Sequence, residues 1–228
     1  MRSVAGVAPA GGMSEPIEHR PATGSWWHCI VRGTGSEPER FITVQSTRYP
    51  DGCRVELSPD MARVQIGDAA VCVITYGDAR RVVGIQVMPW FAPKAPPMWF
   101  AELRESAARP PAVSLLAFTG AGQPENTLVD QSDLRNVPVV SSDQLAALRW
   151  YPATGELDQI YVQPPWRRRN IASAMLAAAA SLSVSRDWPR FWSDGQRTAE
   201  GEELRNARSW RHRAADLTHL APPMTPDE

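Results

Sequence analysis

The sequence predicts a mixed α/β (α+β) fold, with a β-rich N-terminal half and both strands and helices in the C-terminal half. The first observation is a series of short β-branched segments within residues 41–87, separated by turn residues. The second is a pair of strand patterns, Leu145–Tyr151 and Leu157–Val162, followed by an alanine-rich helical pattern that begins near Ile171. The composition agrees, because 43% apolar and 21% charged residues are typical of a globular chain with a core.

Changes in composition divide the chain into four regions. Residues 1–23 are rich in Gly, Ala and Pro and predict a disordered tail. Residues 24–92 form the β-rich region. Residues 93–111 begin with a proline cluster and continue with the pattern of one short helix, Met98–Ala108, which together predict a linker. Residues 112–228 contain the remaining strands and helices.

The β-rich region contains several short strand patterns whose connections are too brief for crossovers. Gly77-Asp78 joins Val71–Thr75 to Arg81–Val87 and predicts a β-hairpin. Short turns between successive strands favour an antiparallel sheet. The other predicted strands of this region are Phe41–Val44, Cys53–Leu57 and Arg63–Ile66.

Charge and cysteine content narrow the functional classes. A formal net charge of −1 argues against a surface devoted to nucleic-acid binding. No stretch approaches the ~20 apolar residues of a membrane-spanning helix, and residues 1–10 lack the apolar core of a signal peptide. The three cysteines have no CxxC spacing, so we expect a cytoplasmic protein with free thiols and no metal site.

The segment between the second C-terminal strand and its helix is the most informative part of the sequence. A loop that leads directly into a helix presents free backbone N–H groups at the helix N-terminus, where phosphate is favoured. This loop carries three consecutive arginines, Arg167, Arg168 and Arg169, which form strong hydrogen bonds with phosphate. The chain otherwise prefers arginine too, since Lys94 is its only lysine. A solvated basic edge is therefore the alternative interpretation.

The wider segment Ile160–Leu176, IYVQPPWRRRNIASAML, resembles the acyl-CoA-binding motif of the GNAT superfamily of N-acetyltransferases. That motif is a hydrophobic strand ending in Val, then Pro, an aromatic residue and Arg/Gln-x-x-Gly-x-Gly/Ala, followed by a helix. Arg167 matches its first position and Ala172 its last. Asn170 stands where glycine is usual, and asparagine tolerates the left-handed backbone better than most residues.

A second segment follows the first in the expected order. Phe191–Gly201, FWSDGQRTAEG, is similar to the strand-to-helix step of a GNAT clade found in actinobacteria and their phages. The two segments lie within residues 145–213. The resemblance implies a GNAT-like mixed sheet with flanking helices in the C-terminal half. It assigns residues 112–228 to an acyl-CoA-binding region.

The resemblance also implies which residues hold the co-substrate acetyl-CoA. In the family, the strand before the loop separates from its neighbour and pairs with the pantetheine arm, while the loop amides hold the pyrophosphate. Arg197, in the second segment, is implied in phosphate or substrate binding, with a surface arginine as the alternative. The implied cofactor-binding residues are Ile160, Tyr161, Val162, Arg167, Arg168, Arg169, Asn170, Ile171, Ala172 and Arg197.

The implied reaction is direct attack of an amine on the thioester, which requires a base and a proton donor to the thiolate. Glu156 and Asp158 lie on or beside the strand before the loop and are the candidate bases, with exposed turn carboxylates as the alternative. Ser193 is the candidate acid, or else a serine that caps its turn. Thr198 is expected to be the N-cap of the last helix.

The sequence therefore favours an acyltransferase that acetylates an amine, with a modified nucleobase or a protein among the conceivable acceptors. Two alternatives stay open. One is a catalytically inactive GNAT-like binding or assembly protein. The other is a nucleic-acid-binding module that uses the arginines of the loop and last helix, which acidic residues on that helix disfavour. No membrane partner is expected, and the oligomeric state is not predicted.

Overall fold

The computed structural model describes residues 25–33, 35, 37–207 and 214–221, in which two five-stranded sheets enclose one helix. The predicted tail, residues 1–23, lies outside the described residues. The last helix was predicted from Thr198 to about Ala214, and residues 208–213 of it lie outside the described residues as well. The predicted α/β (α+β) class is confirmed. No helix in the described ranges is both long enough and apolar enough to cross a bilayer.

The first sheet is built from the N-terminal region in the order β3-β1-β2-β4-β5. Neighbouring strands are antiparallel except β1 and β3, which are parallel. Helix α1 (Pro59–Ile66) connects β3 to β4. The strands are β1 (Trp26–Val31), β2 (Arg40–Gln45), β3 (Arg54–Leu57), β4 (Ala70–Tyr76) and β5 (Val82–Val87).

The second sheet follows in the order β10-β9-β7-β6-β8, with only β6 and β8 parallel. A single turn of helix, α2 (Gln131–Leu134), follows β8. The predicted hairpins β4–β5 and β9–β10 are both confirmed. The strands are β6 (Trp99–Glu105), β7 (Ala112–Phe118), β8 (Leu128–Asp130), β9 (Gln144–Tyr151) and β10 (Glu156–Val162).

Helix α3 (Ile171–Ser185) lies between the two sheets and contacts strands of both. The sequence predicted one apolar face, but residues on nearly the whole circumference are buried. Alanine makes this arrangement compact, since a methyl group lets both sheets approach the helix closely. Ala177, Ala178 and Ala179 are consecutive and have no exposed surface. The core of the molecule is therefore continuous across both sheets.

The first sheet is covered on both faces, which its alternating residues show. In β1, Trp26 belongs to the core around α3, whereas Trp27 belongs to a second cluster with Ala62 and Ile66 of α1. This alternation is the expected result of a two-residue strand period. A buried hydrogen bond of 2.7 Å between Thr43 Oγ1 and Ser181 Oγ joins the sheet to α3.

Two predicted elements are wrong. Arg63–Ile66 belongs to α1 rather than to a strand, because Ser58 accepts a hydrogen bond from the N–H of Met61 and Pro59 occupies the first turn. The predicted helix Met98–Ala108 contains strand β6. Both faces of β6 are buried at its start, so its apolar residues are continuous and lack the alternation that marks a half-exposed strand.

Candidate functional site

Strand β10 meets a later segment of the chain at its first residues. Glu156 and Trp192 form a parallel bridge. The N–H of Leu157 donates to the carbonyl of Trp192 at 2.8 Å, and the N–H of Trp192 donates to the carbonyl of Gly155 at 3.1 Å. Gly155 has φ 76°, and a Cβ there would lie 2.3 Å from the carbonyl oxygen of Arg190. Only glycine permits this junction.

The two segments separate after this junction. Strand β10 continues to Val162 on the antiparallel ladder with β9. The other segment leaves the sheet: Ser193 pairs with Ala214, and the short strand β11 (Gln196–Arg197) pairs with β12 (His219–Leu220). The edge of β10 that faces away from β9 is therefore left beside a gap.

Helix α4 (Ala199–Ala207) forms the opposite wall of this gap, which we call the cleft. The cleft consists of two cavities that meet at Ile160, Gly201 and Leu204. The first cavity, of about 400 Å³, lies at the strand junction. The second cavity, of about 450 Å³, extends to the loop before α3. A single elongated ligand fits such a shape better than a compact one.

A β-bulge lies in β10 at the first cavity. Leu157 pairs with Trp150 and Gln159 with Arg149, so Asp158 has no partner in the ladder. The extra residue changes which side chains point inward. Leu157 and Ile160 both pack against the core, and Asp158 lies on the outer face of the sheet.

The loop between β10 and α3 has two residues in the left-handed conformation, Arg168 with φ 61° and Asn170 with φ 60°. The left-handed backbone expected at Asn170 is thus confirmed. A left-handed residue followed by helical residues turns successive N–H groups toward one side, which forms an anion-binding concavity. The first turn of α3, Ile171–Ser173, lines the second cavity. Its N–H groups are not used by the helix.

The three arginines of the loop have different partners. Arg167 Nε donates to the carbonyl of Val162 at 3.1 Å and so closes the end of β10. Arg168 forms an ion pair of 2.6 Å with Glu203 of α4, across the cleft. Arg169 stacks on Trp166, with its guanidinium carbon 4.8 Å from the ring centroid. Arg168 and Arg169 are exposed, whereas Arg167 is half-buried.

The two candidate bases differ in their environment. Glu156 lines the first cavity, and within the described residues its carboxylate has no hydrogen bond or ion pair. Asp158 accepts from Arg149 at 2.5 Å and from the Tyr151 hydroxyl at 2.8 Å. The hydrogen bond to Asp158 raises the pKa of Tyr151. Glu156 is therefore the more available carboxylate.

Ser193 and Arg197 lie together beyond the junction, away from the loop. Arg197 Nε pairs with Glu202 at 2.8 Å, and its other nitrogens donate to the carbonyls of Asp194 and Ala215. Its nearest contact with Ser193 Oγ is 3.5 Å. Arg197 thus fastens the C-terminal segment to α4, and it lines the first cavity rather than the second.

Thr198 is confirmed as the N-cap residue of α4, because its Oγ1 accepts from the N–H of Gly201 at 3.1 Å. Sequence reasoning did not identify Trp192, Leu204 or Glu203 as site residues. Each lines the cleft or spans it only because β10 meets residues more than thirty positions later in the chain. The resemblance singled out the segment Phe191–Gly201, but no local sequence signal marks its contact with β10.

The described residues contain no group of three or more His, Cys, Asp or Glu side chains that is arranged to hold a metal ion. Comparison of the chain with protein-family models, with curated proteins and with solved structures gave no match.

Proposed function

We propose that this protein binds acetyl-CoA in the cleft and transfers the acetyl group to an amine. One observation carries the proposal: β10 and the Trp192 segment start as a parallel pair and then diverge, and the gap continues to the N-terminus of α3. A parallel pair that opens beside a phosphate-binding loop matches the geometry implied by the resemblance of Ile160–Leu176 to the GNAT motif.

The second cavity suits the carrier portion of the co-substrate. The free edge of β10 at Ile160–Val162 presents backbone groups that pair with the amides of an extended pantetheine arm, as an added strand would. The N–H groups at Ile171–Ser173 and the α3 dipole favour the pyrophosphate. The acetyl thioester would then extend past Ile160, where the two cavities meet, into the first cavity toward Glu156.

The exposed arginines of the loop suit the adenosine end. Arg168 lines the second cavity, and Arg169 is exposed beside it on the ring of Trp166, so a phosphate group there would gain charge-assisted hydrogen bonds. Arg167 is already committed to the carbonyl of Val162, so its contribution is to hold the loop against β10.

The proposed reaction uses residues that line the first cavity. The amine nitrogen attacks the thioester carbonyl, a C–N bond forms, the C–S bond breaks and CoA leaves as a thiolate that takes up a proton. The amine proton passes to Glu156, the carboxylate without a cationic partner, and Asp158 is the weaker candidate because Arg149 and Tyr151 occupy its oxygens. Ser193, which lines the first cavity, is the hydroxyl proposed to serve the thiolate.

The proposal is tested by thermal unfolding with acetyl-CoA. Ligand at about 100 times its Kd should add about 2.7 kcal/mol to the free energy of unfolding. The double variant Arg168→Ala/Arg169→Ala should weaken binding at least about tenfold, since each lost charged hydrogen bond is worth about 1.5 kcal/mol or more. Arg32→Ala is the matched control, because Arg32 is an exposed arginine just after β1 that, like Arg168, pairs with a glutamate. No stabilisation of the unaltered protein by acetyl-CoA would refute the proposal.

A non-catalytic binding protein on the same scaffold is the second candidate. The observation that favours it is the pairing of Asp158 with Arg149 and Tyr151, which leaves Glu156 as the only candidate base without a partner in the described ranges. Binding of acetyl-CoA without acetyl transfer to any amine would support this candidate. A nucleic-acid role is disfavoured by Glu200 and Glu203, which line the second cavity opposite the arginines.

A further inference from the structure

We propose that the cavity at the C-terminal end of α3, which we call the third cavity, binds a small anion that carries two or more carboxylate or phosphate groups. Its volume of about 630 Å³ lies within the range of small-molecule sites. The last residues of α3 line it, whereas the first turn of α3 lines the cleft. The fifteen residues of α3 separate the two sites by roughly 20 Å, so the inference does not rest on the proposed function.

Residues from both sheets meet at the third cavity. The turn between β4 and β5 of the first sheet contributes Arg80 and Arg81. Strand β6 of the second sheet contributes Glu102 and Arg104, and Arg186 follows α3. An anion that contacts arginines of both sheets would therefore join the two layers where the helix between them ends. Among the described residues that line the cavity only two are apolar, so its wall suits a polar ligand.

The buried carboxylates of the third cavity already have partners. Glu102 accepts from both terminal nitrogens of Arg186, at 2.6 and 2.5 Å. Its Oε1 also accepts from Nε of Arg104 at 3.2 Å. Asp130 pairs with Arg81 at 3.1 Å, and its other oxygen accepts from two backbone N–H groups of α2. These carboxylates therefore have little capacity left for a hydrogen-bond donor or a cation.

The guanidinium groups of the third cavity, in contrast, keep unused donors. Each guanidinium has five N–H groups. Within the part of the chain that the structure describes, Arg104 pairs only through Nε, and its terminal nitrogens have no partner although its side chain is 65% exposed. Arg80 and Arg81 each use one terminal nitrogen in ion pairs with carboxylates. The free hydrogen-bonding capacity of the wall is thus mainly that of donors, which calls for a ligand made of acceptors.

The C-terminal end of α3 does not repel an anion from this cavity. The last carbonyls of a helix carry a partial negative charge. Here the Tyr76 hydroxyl donates to the carbonyl of Ser185 at 3.0 Å, and Arg54 donates to the carbonyl of Val184. Arg186, the first residue after the helix, adds a positive charge at the same end. The partial charge of the helix end is therefore compensated by the protein itself.

Carboxylate and phosphate groups match the unused donors, because a guanidinium binds two of their oxygens in one plane. The lining residues carry four guanidinium groups and three carboxylates. The guanidinium of Arg80 lies 5.2 Å from the centroid of the Tyr76 ring, which holds this arginine at the cavity. One acidic group of the ligand engages Arg104 of the second sheet, and another is needed to engage the arginines of the first. The ligand class is therefore a small polyanion.

Isothermal titration of the full chain compares citrate, pyrophosphate and acetate at constant ionic strength. Citrate or pyrophosphate should bind at least about tenfold more tightly than acetate, because one further charge-assisted hydrogen bond is worth about that factor. Arg104→Ala should weaken binding of the tighter polyanion about tenfold for the same reason. The variant should stay folded, since Arg186 still holds both oxygens of Glu102, and the midpoint of urea unfolding verifies this. Arg104→Lys, which keeps the charge but not the planar donors, should retain part of the affinity.

Arg32→Ala is the matched control, because Arg32 is 72% exposed and pairs with one glutamate, as Arg104 does. It should bind the polyanions as the unaltered protein does. The double variant Arg168→Ala/Arg169→Ala removes the exposed arginines beside the cleft instead, and it should keep the tight binding of citrate. Polyanion binding that this double variant abolishes and Arg104→Ala does not would belong to the cleft, which would overturn the assignment of the third cavity.

The two polyanions distinguish the source of the acidic groups. Tighter binding of citrate indicates a polycarboxylate, and tighter binding of pyrophosphate by Arg168→Ala/Arg169→Ala indicates a phosphorylated ligand; both results support the inference. It is overturned if neither polyanion binds saturably, if neither binds more tightly than acetate, or if the affinity survives Arg104→Ala. Stabilisation by acetyl-CoA should be the same in Arg104→Ala as in the unaltered protein. A failure of the third cavity therefore leaves the proposed function standing, and a failure to bind acetyl-CoA leaves the third cavity standing.

Discussion

The two ends of helix α3 differ in the side-chain hydrogen bonds that hold them. At the C-terminal end, the Tyr76 hydroxyl donates to the carbonyl of Ser185 at 3.0 Å. Arg186, just beyond the helix, binds both oxygens of Glu102 at 2.6 and 2.5 Å. At the N-terminal end, Asn170 makes no capping hydrogen bond through its side chain.

The C-terminal end of α3 is therefore anchored, whereas its N-terminal end is available for binding. The C-terminal contacts come from strands of both sheets, so they fix the helix between the layers. The N-terminal turn instead faces the second cavity, where its N–H groups are available to a ligand. The C-terminal end of α3 is thus the anchored end, and the N-terminal end, which we call the open end, borders the candidate site.

The largest expected effect is at the anchored end. Arg186→Ala should lower the free energy of unfolding by about 3 to 5 kcal/mol, because it leaves the Glu102 carboxylate buried without its main partner. The side chain of Glu102 is only 5% exposed. Urea unfolding followed by circular dichroism measures the change.

The control for this prediction is the double variant Glu102→Gln/Arg186→Met. Removing both charges should restore much of the stability, since the cost of the single variant comes from the unpaired charge. A loss below about 1 kcal/mol for Arg186→Ala would mean that water or Arg104 already compensates Glu102, and the contrast between the two ends would disappear.

The sequence predicted those structural elements that depend on a local pattern of residues. The hairpin β9–β10, the helix that follows it and the left-handed backbone at Asn170 are each determined by residues within a short segment. The nature of β6 was not predictable from periodicity, because both of its faces are covered. The junction of Glu156 with Trp192 depends on the folding of the intervening helix, so the resemblance singled out the segment Phe191–Gly201 but not the residues that form the bridge.

The next test concerns the packing of β4 against the middle of α3, and it uses the pH dependence of stability. Burial raises the pKa of the Cys72 thiol to about 12, against about 8.5 in an unfolded chain. Ser181 of α3 is its hydrogen-bond partner. Between these two pKa values only the unfolded thiol loses its proton, so stability falls as pH rises. The slope approaches about 1.4 kcal/mol per pH unit for this thiol.

The measurement compares the unaltered protein with Cys72→Ala in urea at several pH values. Below about pH 8 the difference in unfolding free energy should be constant. From about pH 9 to 11 the difference should shrink by roughly 1.4 kcal/mol per unit, because the alanine variant has no thiol to ionise. A constant difference up to pH 11 would show that Cys72 is solvated in the folded protein, and that α3 is less enclosed than its contacts indicate.

At the N-terminal end of α3, substitutions of Asn170 should change the free energy of unfolding by a smaller amount. They also separate an effect on stability from an effect on ligand binding. Asn170→Ala should cost about 1 kcal/mol, because alanine tolerates φ 60° less well than asparagine, whereas Asn170→Gly should be neutral or slightly stabilising. Glycine should also keep the stabilisation by acetyl-CoA. Equal behaviour of the two variants in urea would indicate that the loop adopts another backbone, and the phosphate-binding geometry would have to be abandoned.

The smallest effect is expected at Glu203, whose ion pair with Arg168 spans the cleft. The side chains are 59% and 76% exposed, so losing the pair should leave the midpoint of urea unfolding nearly unchanged. A phosphate group would compete with Glu203 for the same guanidinium. Glu203→Gln should therefore tighten acetyl-CoA binding a few-fold, measured by isothermal titration at low and high salt. The tightening should fade with salt, since the released interaction is electrostatic. Weaker binding of acetyl-CoA by Glu203→Gln would mean that Arg168 must stay paired to shape the loop, and the open end would then be an anchored end as well.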